Sequence, residues 1–195
     1  MPNLSQDAVK RNTVWIDQNR VVKIFSHGPN KTLRFCREIQ ALQRLAGLDG
    51  VPEILTYSPT DRRVALARIP GMPLSEAQDV PDQVFYRLRI VLEDTLCCGV
   101  ARHSLPARDV IVCPDGTIGM VDFERCTLRS WHFSPIWWIA RKVARFNLLR
   151  LIDCYAPHLL THTERRHLDK QYQLRAMLHH YKRWYRQTRE LCRRR

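Results

Sequence analysis

Apolar and polar positions form short alternating runs near the N-terminus. Residues 12–16 and 20–25 read as two strands, and the polar turn Asp17-Gln18-Asn19 between them predicts a hairpin. Gly28-Pro29-Asn30 then breaks the chain. From Lys31 to Leu45 the apolar positions Leu33, Phe35, Cys36, Ile39, Leu42 and Leu45 recur at helical spacing, and Gly47 and Gly50 end that helix. A strand-like stretch over 51–57, a turn at Ser58-Pro59-Thr60-Asp61 and an apolar run over 64–69 follow, closed by Pro70-Gly71. Residues 81–101 present Val84, Leu88, Val91, Leu92 and Leu96 along one side, which predicts a second helix. Next come a strand at 110–112, the turn Pro114-Asp115-Gly116 and a strand at 118–123. Beyond Trp131 the pattern is mostly helical, with no repeat and no low-complexity linker. Strands with one helix, then helices with one small hairpin, predict an α+β chain in two lobes.

Composition narrows the picture. The 195 residues suffice for one domain, and 45% hydrophobic with 26% charged residues argues against wholesale disorder. The charge balance is unusual: 32 Lys+Arg against 19 Asp+Glu leave +13, which calls for polyanionic company. Seven cysteines include no C-x-x-C, so reduced, buried thiols are expected rather than a disulfide framework or a zinc site. His158, His162 and His167 form no recognised ligand spacing. The first residues lack the apolar core of a secretory signal, and no apolar run reaches the ~18–20 residues of a membrane span. The expectation is a protein on the cytoplasmic side, soluble or peripheral to a membrane.

Four features carry the candidate chemistry through their order. Lys23 sits in the apolar strand Val21-Val22-Lys23-Ile24, and Glu38 follows fifteen residues later in a helix. Asp109 precedes the strand Val110-Ile111-Val112, and Asp122 ends the strand after it, in Asp122-Phe123-Glu124. Phosphoryl transfer asks a protein mainly to position phosphates and hold cations on them. A strand lysine fixed by a helix carboxylate would neutralise phosphates, and Asp109 and Asp122 would supply the oxygens Mg²⁺ prefers. Taken singly, Lys23 would read as an edge-strand amine reaching water, Asp109 as a turn residue and Glu38 as an ordinary helix residue. The joint spacing changes that reading.

The set resembles the protein-kinase signatures: strand lysine with helix glutamate, catalytic loop, and D-F-G position. The resemblance covers roughly 12–128. Ala65-Leu66-Ala67-Arg68-Ile69-Pro70-Gly71 looks like the hinge, where backbone groups of Ala67 and Ile69 would meet an adenine. Asp122-Phe123-Glu124-Arg125 is similar to compact bacterial RIO-like and lipopolysaccharide-kinase-like proteins, including the toluene-tolerance group. That resemblance implies a trimmed two-lobe kinase-like fold, ATP and Mg²⁺ as cofactors, Lys23 and Glu38 on the nucleotide, and Asp109 with Asp122 on the metal. Ser104, Asp109 and Asp122 fall at the catalytic positions. It also implies an N-lobe over 1–70, a C-lobe over 71–160 with a catalytic hairpin at 102–124, and a basic helical tail over 161–195.

Departures accompany the resemblance. Aligned on the loop, the family's H-R-D becomes Arg102-His103-Ser104, and a serine hydroxyl cannot accept a proton as a carboxylate does. Asp109 replaces a metal-binding asparagine, no glycine precedes Gly28 to form a phosphate-covering loop, and Glu124 replaces the glycine of D-F-G. Three readings of the cleft stay open: an enzyme with another base, His103 or Asp109; catalysis by positioning and charge alone; or a pseudokinase.

Residues 164–195 carry 11 Lys+Arg against 3 Asp+Glu, interleaved with Tyr172, Tyr181, Trp184 and Tyr185. Such a stretch fits an anionic membrane surface, and also nucleic acid. For 136–152 the expectation is an ordinary packed helix. The function expected is phosphotransfer from ATP to a hydroxyl of a lipid-linked sugar of lipopolysaccharide-core type, or of a protein. The alternatives are a pseudokinase scaffold recruited to an anionic membrane and a RIO-like RNA-associated factor.

Overall fold

The computed structural model describes residues 12–131 and 134–173. The chain divides into two compact units, Met1–Leu148 and Leu149–Arg195.

In the first unit, β1 (Thr13–Ile16) and β2 (Arg20–Ile24) form the expected hairpin, and α1 (Lys31–Arg44) follows. β3 (Ile54–Ser58) and β4 (Arg63–Ala67) complete an antiparallel sheet in the order β1-β2-β4-β3. β3 starts later than the apolar pattern implies, because Pro52 has no N–H to give a ladder. Phe35, Ile39, Leu42 and Leu45 of the α1 segment are buried together with Phe25, Val64 and Leu66. Leu33 and Cys36, placed on that apolar stripe by spacing alone, are exposed: they fall on its outer edge.

A two-residue strand β5 (Met72–Pro73), β7 (Val110–Val112) and β8 (Ile118–Met120) form a second sheet. α2 (Asp82–Cys97) buries Val84, Leu88, Val91, Leu92 and Leu96, the side read from the sequence. The helix stops short of residue 101, because Gly99 takes φ 80° and turns the chain into β6 (Val100–Arg102). β6 pairs with β9 (Cys126–Leu128), and this third sheet was not visible in the pattern. Both strands are only three residues long, too short to show a period. α3 (Pro135–Tyr155) then begins.

In the second unit, Leu151, Ile152, Ala156, Leu160 and Leu168 are buried. A helix over 162–173, here α4, opens on a reciprocal cap. Glu164 N–H donates to Thr161 Oγ1 at 3.2 Å, and Thr161 N–H donates to Glu164 Oε2 at 2.9 Å. The rest of the expected basic tail, 174–195, lies outside the described residues, as does the N-terminal stretch to residue 11. Among the described residues no helix is long and apolar enough to cross a membrane.

The cysteines depart from expectation. Cys113 and Cys126 are buried, and burial pushes the Cys126 thiol up to about 12, but Cys36, Cys97 and Cys154 are exposed. Cys36 and Cys97 sit on the outer sides of amphipathic helices whose inner sides larger apolar residues fill.

Candidate active site

The site is built where β2, α1 and the chain after β8 meet. β2 has a buried lysine because register puts Lys23 opposite Val64 of β4 and Val14 of β1, on the sheet face that α1 covers. α1 turns Glu38 toward that face, and Lys23 Nζ donates to Glu38 Oε2 at 2.7 Å. Past β8, Asp122 takes a left-handed conformation, φ 68°, which aspartate tolerates better than most residues. That turn brings its carboxylate back onto the amine, Nζ to Oδ1 2.7 Å. Residues 15 and 99 apart in sequence from Lys23 thus share one ammonium.

Electrostatics follow from this crowding. Burial works to lower the proton affinity of Lys23, but Glu38 and Asp122 outweigh it, so the amine is held firmly cationic. Burial raises Glu38 above the usual carboxylate range, with Lys23 opposing and the Asp122 charge adding to the rise. Burial also presses Asp122 upward, yet the charge and hydrogen bond of Lys23 win and hold it below that range. Asp122 is the firmly ionised carboxylate of the pair; Glu38 is the one that takes up a proton first.

Glu124 completes the cluster, a place that its position in Asp122-Phe123-Glu124 did not announce. Its carboxylate lies 3.6 Å from Lys23 Nζ, accepts from Asn12 Nδ2 at 2.7 Å, and pairs with Arg34 Nη1 at 3.2 Å. Arg34 Nη1 also donates to Asn12 Oδ1 at 3.0 Å, and Nη2 to the His27 carbonyl at 2.6 Å. One signal existed: Arg34 precedes Glu38 by one helical turn, on the side of α1 that Phe35, Ile39 and Leu42 bury. A charge there needs a partner.

Arg102, Ser104, Asp109, Asp122, Glu124, Arg108 and Arg125 line a cavity of about 270 Å³. Asp109 and Asp122 therefore face one space. Arg102 Nη2 donates to Asp109 Oδ2 at 2.6 Å, and its guanidinium stacks 5.3 Å from the Phe123 ring centroid. Burial raises the proton affinity of Asp109, Arg102 opposes, and the nearby Asp122 charge adds to the rise. Ser104 is exposed on the cavity rim. His103 is occupied elsewhere: Nε2 meets Thr127 Oγ1 at 2.9 Å, and its carbonyl accepts from Asn147 Nδ2 at 2.9 Å.

Glu38, Asp122 and Glu124 each offer a carboxylate oxygen within 4.8 Å of the others, a donor set suited to a hard divalent cation. The Lys23 ammonium is bonded into that set, so cation and amine would compete for the same oxygens. On the face of the sheet carrying Lys23, Val14 and Ile16 are exposed and Val21 is half-buried, an apolar surface beside the amine. In the hinge-like segment, Ala67 N–H donates to Glu53 O at 2.8 Å and so is already engaged within the protein. The Ile69 side chain packs against Gly119 of β8, where an added Cβ would meet Ile69 Cδ1 at 2.5 Å. A cavity of about 810 Å³ is lined by Arg68, Ile69 and Pro70 of the hinge-like segment with Gly50, Arg87, Val91 and Ile118, and none of the four signature residues lines it.

No protein-family model and no curated protein sequence matches the chain. Among solved structures, the Rio2 kinase–ADP/Mg²⁺–phosphoaspartate complex from Chaetomium thermophilum is similar over 77% of this chain and 56% of its own, with a TM-score of 0.57 and 11% identity. The fold is protein-kinase-like. Two structures of WbdD align over 73% and 65% of this chain, each with a TM-score of 0.51, at 17% and 19% identity. The kinase-like chain spans 30–56% of the length of these structures. At such identities the likeness concerns the fold alone, so the reaction rests on the site.

Proposed function

We propose that the protein moves a phosphoryl group from ATP, with Mg²⁺, to a hydroxyl of a lipid-linked sugar of lipopolysaccharide-core type or of a protein. One observation carries this: Lys23 Nζ lies 2.7 Å from both Glu38 and Asp122. An amine so placed would release Asp122 and turn to phosphate oxygens, with Glu38 keeping it in position. Asp122, aided by Glu124 and by Asp109 across the cavity, would hold Mg²⁺, which supplies charge neutralisation on the phosphates. The apolar face of Val14, Ile16 and Val21 would roof a purine, and the Ala67 carbonyl with the Ile69 backbone would meet its edge. The likeness to a structure holding ADP and Mg²⁺ supports the choice of cofactors. A lobe boundary near residue 70 and a place on the cytoplasmic face of a membrane belong to the same reading.

Thermal unfolding with and without ATP and Mg²⁺, for wild type and Lys23→Ala, tests it. The expected result is a rise in wild type that shrinks in the variant; no rise in either ends the nucleotide reading.

Ser104 favours a second reading. The catalytic-loop base position holds a hydroxyl exposed on the cavity rim, which suits a pseudokinase that binds nucleotide and acts by docking. Nucleotide stabilisation without phosphoryl transfer, and a cellular role surviving Asp122→Ala, would select it.

A further inference from the structure

α3 presents its buried and exposed sides unevenly. Trp137, Ala140 and Ala144 are buried, and the helix start is fixed by Ser134, whose Oγ accepts from Trp137 N–H at 3.3 Å. Arg129 stacks 5.9 Å from the Trp137 ring centroid on that anchored side. The other side of the first two turns is apolar and open. Ile136 is 70% exposed, Trp138 58% and Ile139 56%, and Trp131 just ahead of the helix is 57% exposed. The helix packs through Trp137, Ala140, Ala144 and Phe146, as expected over 136–152, but its first turns leave this second apolar side uncovered. The apolar surface continues across a cavity of about 380 Å³, lined by Ile136, Leu128, Cys36 and Leu33, the last 51% exposed. Isolated exposed apolar residues are common, but a cluster of this kind marks a contact surface.

The surrounding charge says what kind. From residue 125 to 148 the chain has five cations, Arg125, Arg129, Arg141, Lys142 and Arg145, and no carboxylate. Arg145 is taken by Glu93, at 2.6 Å and 2.7 Å. Arg125 lines the candidate-site cavity, Arg129 stacks on the anchored side, and Arg141 acts on Glu93, which leaves Lys142 beside the apolar cluster and Arg37 of α1 lining the adjoining cavity. Lys142 Nζ lies 3.4 Å from the Trp138 ring centroid. The one acidic residue of α1, Glu38, is buried under Lys23 and offers no surface charge. A protein contact would put apolar residues at its centre and mix charges around them, with lysine depleted. Exposed tryptophan and isoleucine beside Lys142 and Arg37, on a stretch with no carboxylate from 125 to 148, is instead the composition of an interfacial segment seated on anionic lipid.

We propose that the N-terminal turns of α3, with Trp131 and Leu33, form a membrane-docking edge for anionic phospholipid, separate from the basic tail. Trp138, Ile139 and Ile136 enter the headgroup boundary, and Lys142 and Arg37 meet lipid phosphates. β9, which lines the adjoining cavity, starts two residues after Glu124, so docking would bring headgroups near the candidate active site. That last consequence rests on the lipid-linked acceptor proposed above; the docking itself does not.

Full-length protein is sedimented, without nucleotide, with vesicles of phosphatidylcholine alone and of phosphatidylcholine mixed with phosphatidylglycerol. The expected result is salt-sensitive binding to the mixed vesicles, reduced roughly tenfold or more by Trp138→Ser with Ile139→Ser. The melting temperature should hold, since both side chains are exposed. Arg193→Gln with Arg194→Gln and Arg195→Gln in the tail should keep most of the binding. The proposal is overturned if the α3 variant binds as wild type does, if wild type binds neither vesicle, or if the α3 substitutions merely convert a dimer of this chain to a monomer. None of these failures bears on ATP-induced stabilisation, which tests the phosphotransfer reading separately.

Discussion

Lys23 and Asp122 are joined directly, Nζ to Oδ1 at 2.7 Å, so the amine proposed for phosphates grips the carboxylate proposed for metal. Removing the amine leaves Glu38, Asp122 and Glu124 facing one another with oxygens within 4.8 Å. Breaking a buried pair from one side costs about 3–5 kcal/mol. Lys23→Ala should therefore lose stability, and Mg²⁺ alone should restore part of it. In wild type, where the ammonium already serves those oxygens, Mg²⁺ alone should do less. Melting curves with and without Mg²⁺ check this, and an equal effect on both proteins would remove the three carboxylates from consideration as a cation site.

Asp122 and Glu38 should respond to pH in opposite senses. Asp122 is held below its ordinary range, so its stabilisation is complete above the unfolded carboxylate value and is lost as pH falls through the folded one. Glu38 is raised by burial, so the folded state binds a proton the unfolded state has released, and stability falls as pH rises through that window. Asp122→Asn should flatten the acid side of the stability profile, and Glu38→Gln should flatten the decline at higher pH. Urea denaturation across the pH range measures both. Parallel changes would contradict the assignment.

Glu124 stands where the resembled signature has glycine, yet restoring glycine should not be harmless. The carboxylate pairs with Arg34, whose Nε already lacks a hydrogen-bond partner, and it takes the Asn12 amide. Glu124→Gly would leave Arg34 buried without a carboxylate, held by Asn12, the His27 carbonyl and the Phe25 ring, at a cost of about 3 kcal/mol or more. Glu124→Gln, which keeps an acceptor oxygen, should lose less. Chemical denaturation of the two variants decides the order.

Much of this site was readable beforehand, and the reasons differ by residue. The pairing of Lys23 with Glu38 was legible through their spacing in the resembled signature, since singly Lys23 reads as an edge-strand amine and Glu38 as an ordinary helix residue. Asp122 was legible as a carboxylate just past an apolar run, although its left-handed turn was not. Glu124 and Arg34 were missed because their burial depends on each other and on Asn12, a long-range relation no local pattern records. β6 and β9 were missed for a related reason: three-residue strands owe their existence to the partner, not to their own sequence. The open side of α3 escaped because tryptophan and isoleucine at helical spacing look alike whether covered or bare.

Ser104 gives the sharpest test of chemistry. Its side chain is exposed at the rim of the cavity lined by Asp109 and Asp122, so an aspartate there would fit with little structural cost. If phosphotransfer survives but lacks a good base, Ser104→Asp should raise turnover on the order of a hundredfold. If Asp109 is the working base, its raised proton affinity suits the task, and Asp109→Asn should abolish turnover while Arg102 keeps an oxygen to donate to. Nucleotide turnover and phosphoryl transfer in wild type and both variants separate these cases. A protein that ATP stabilises, but that turns over nucleotide in none of the three forms, is a binding module, because the groups that grip phosphate are then present without one that moves the proton.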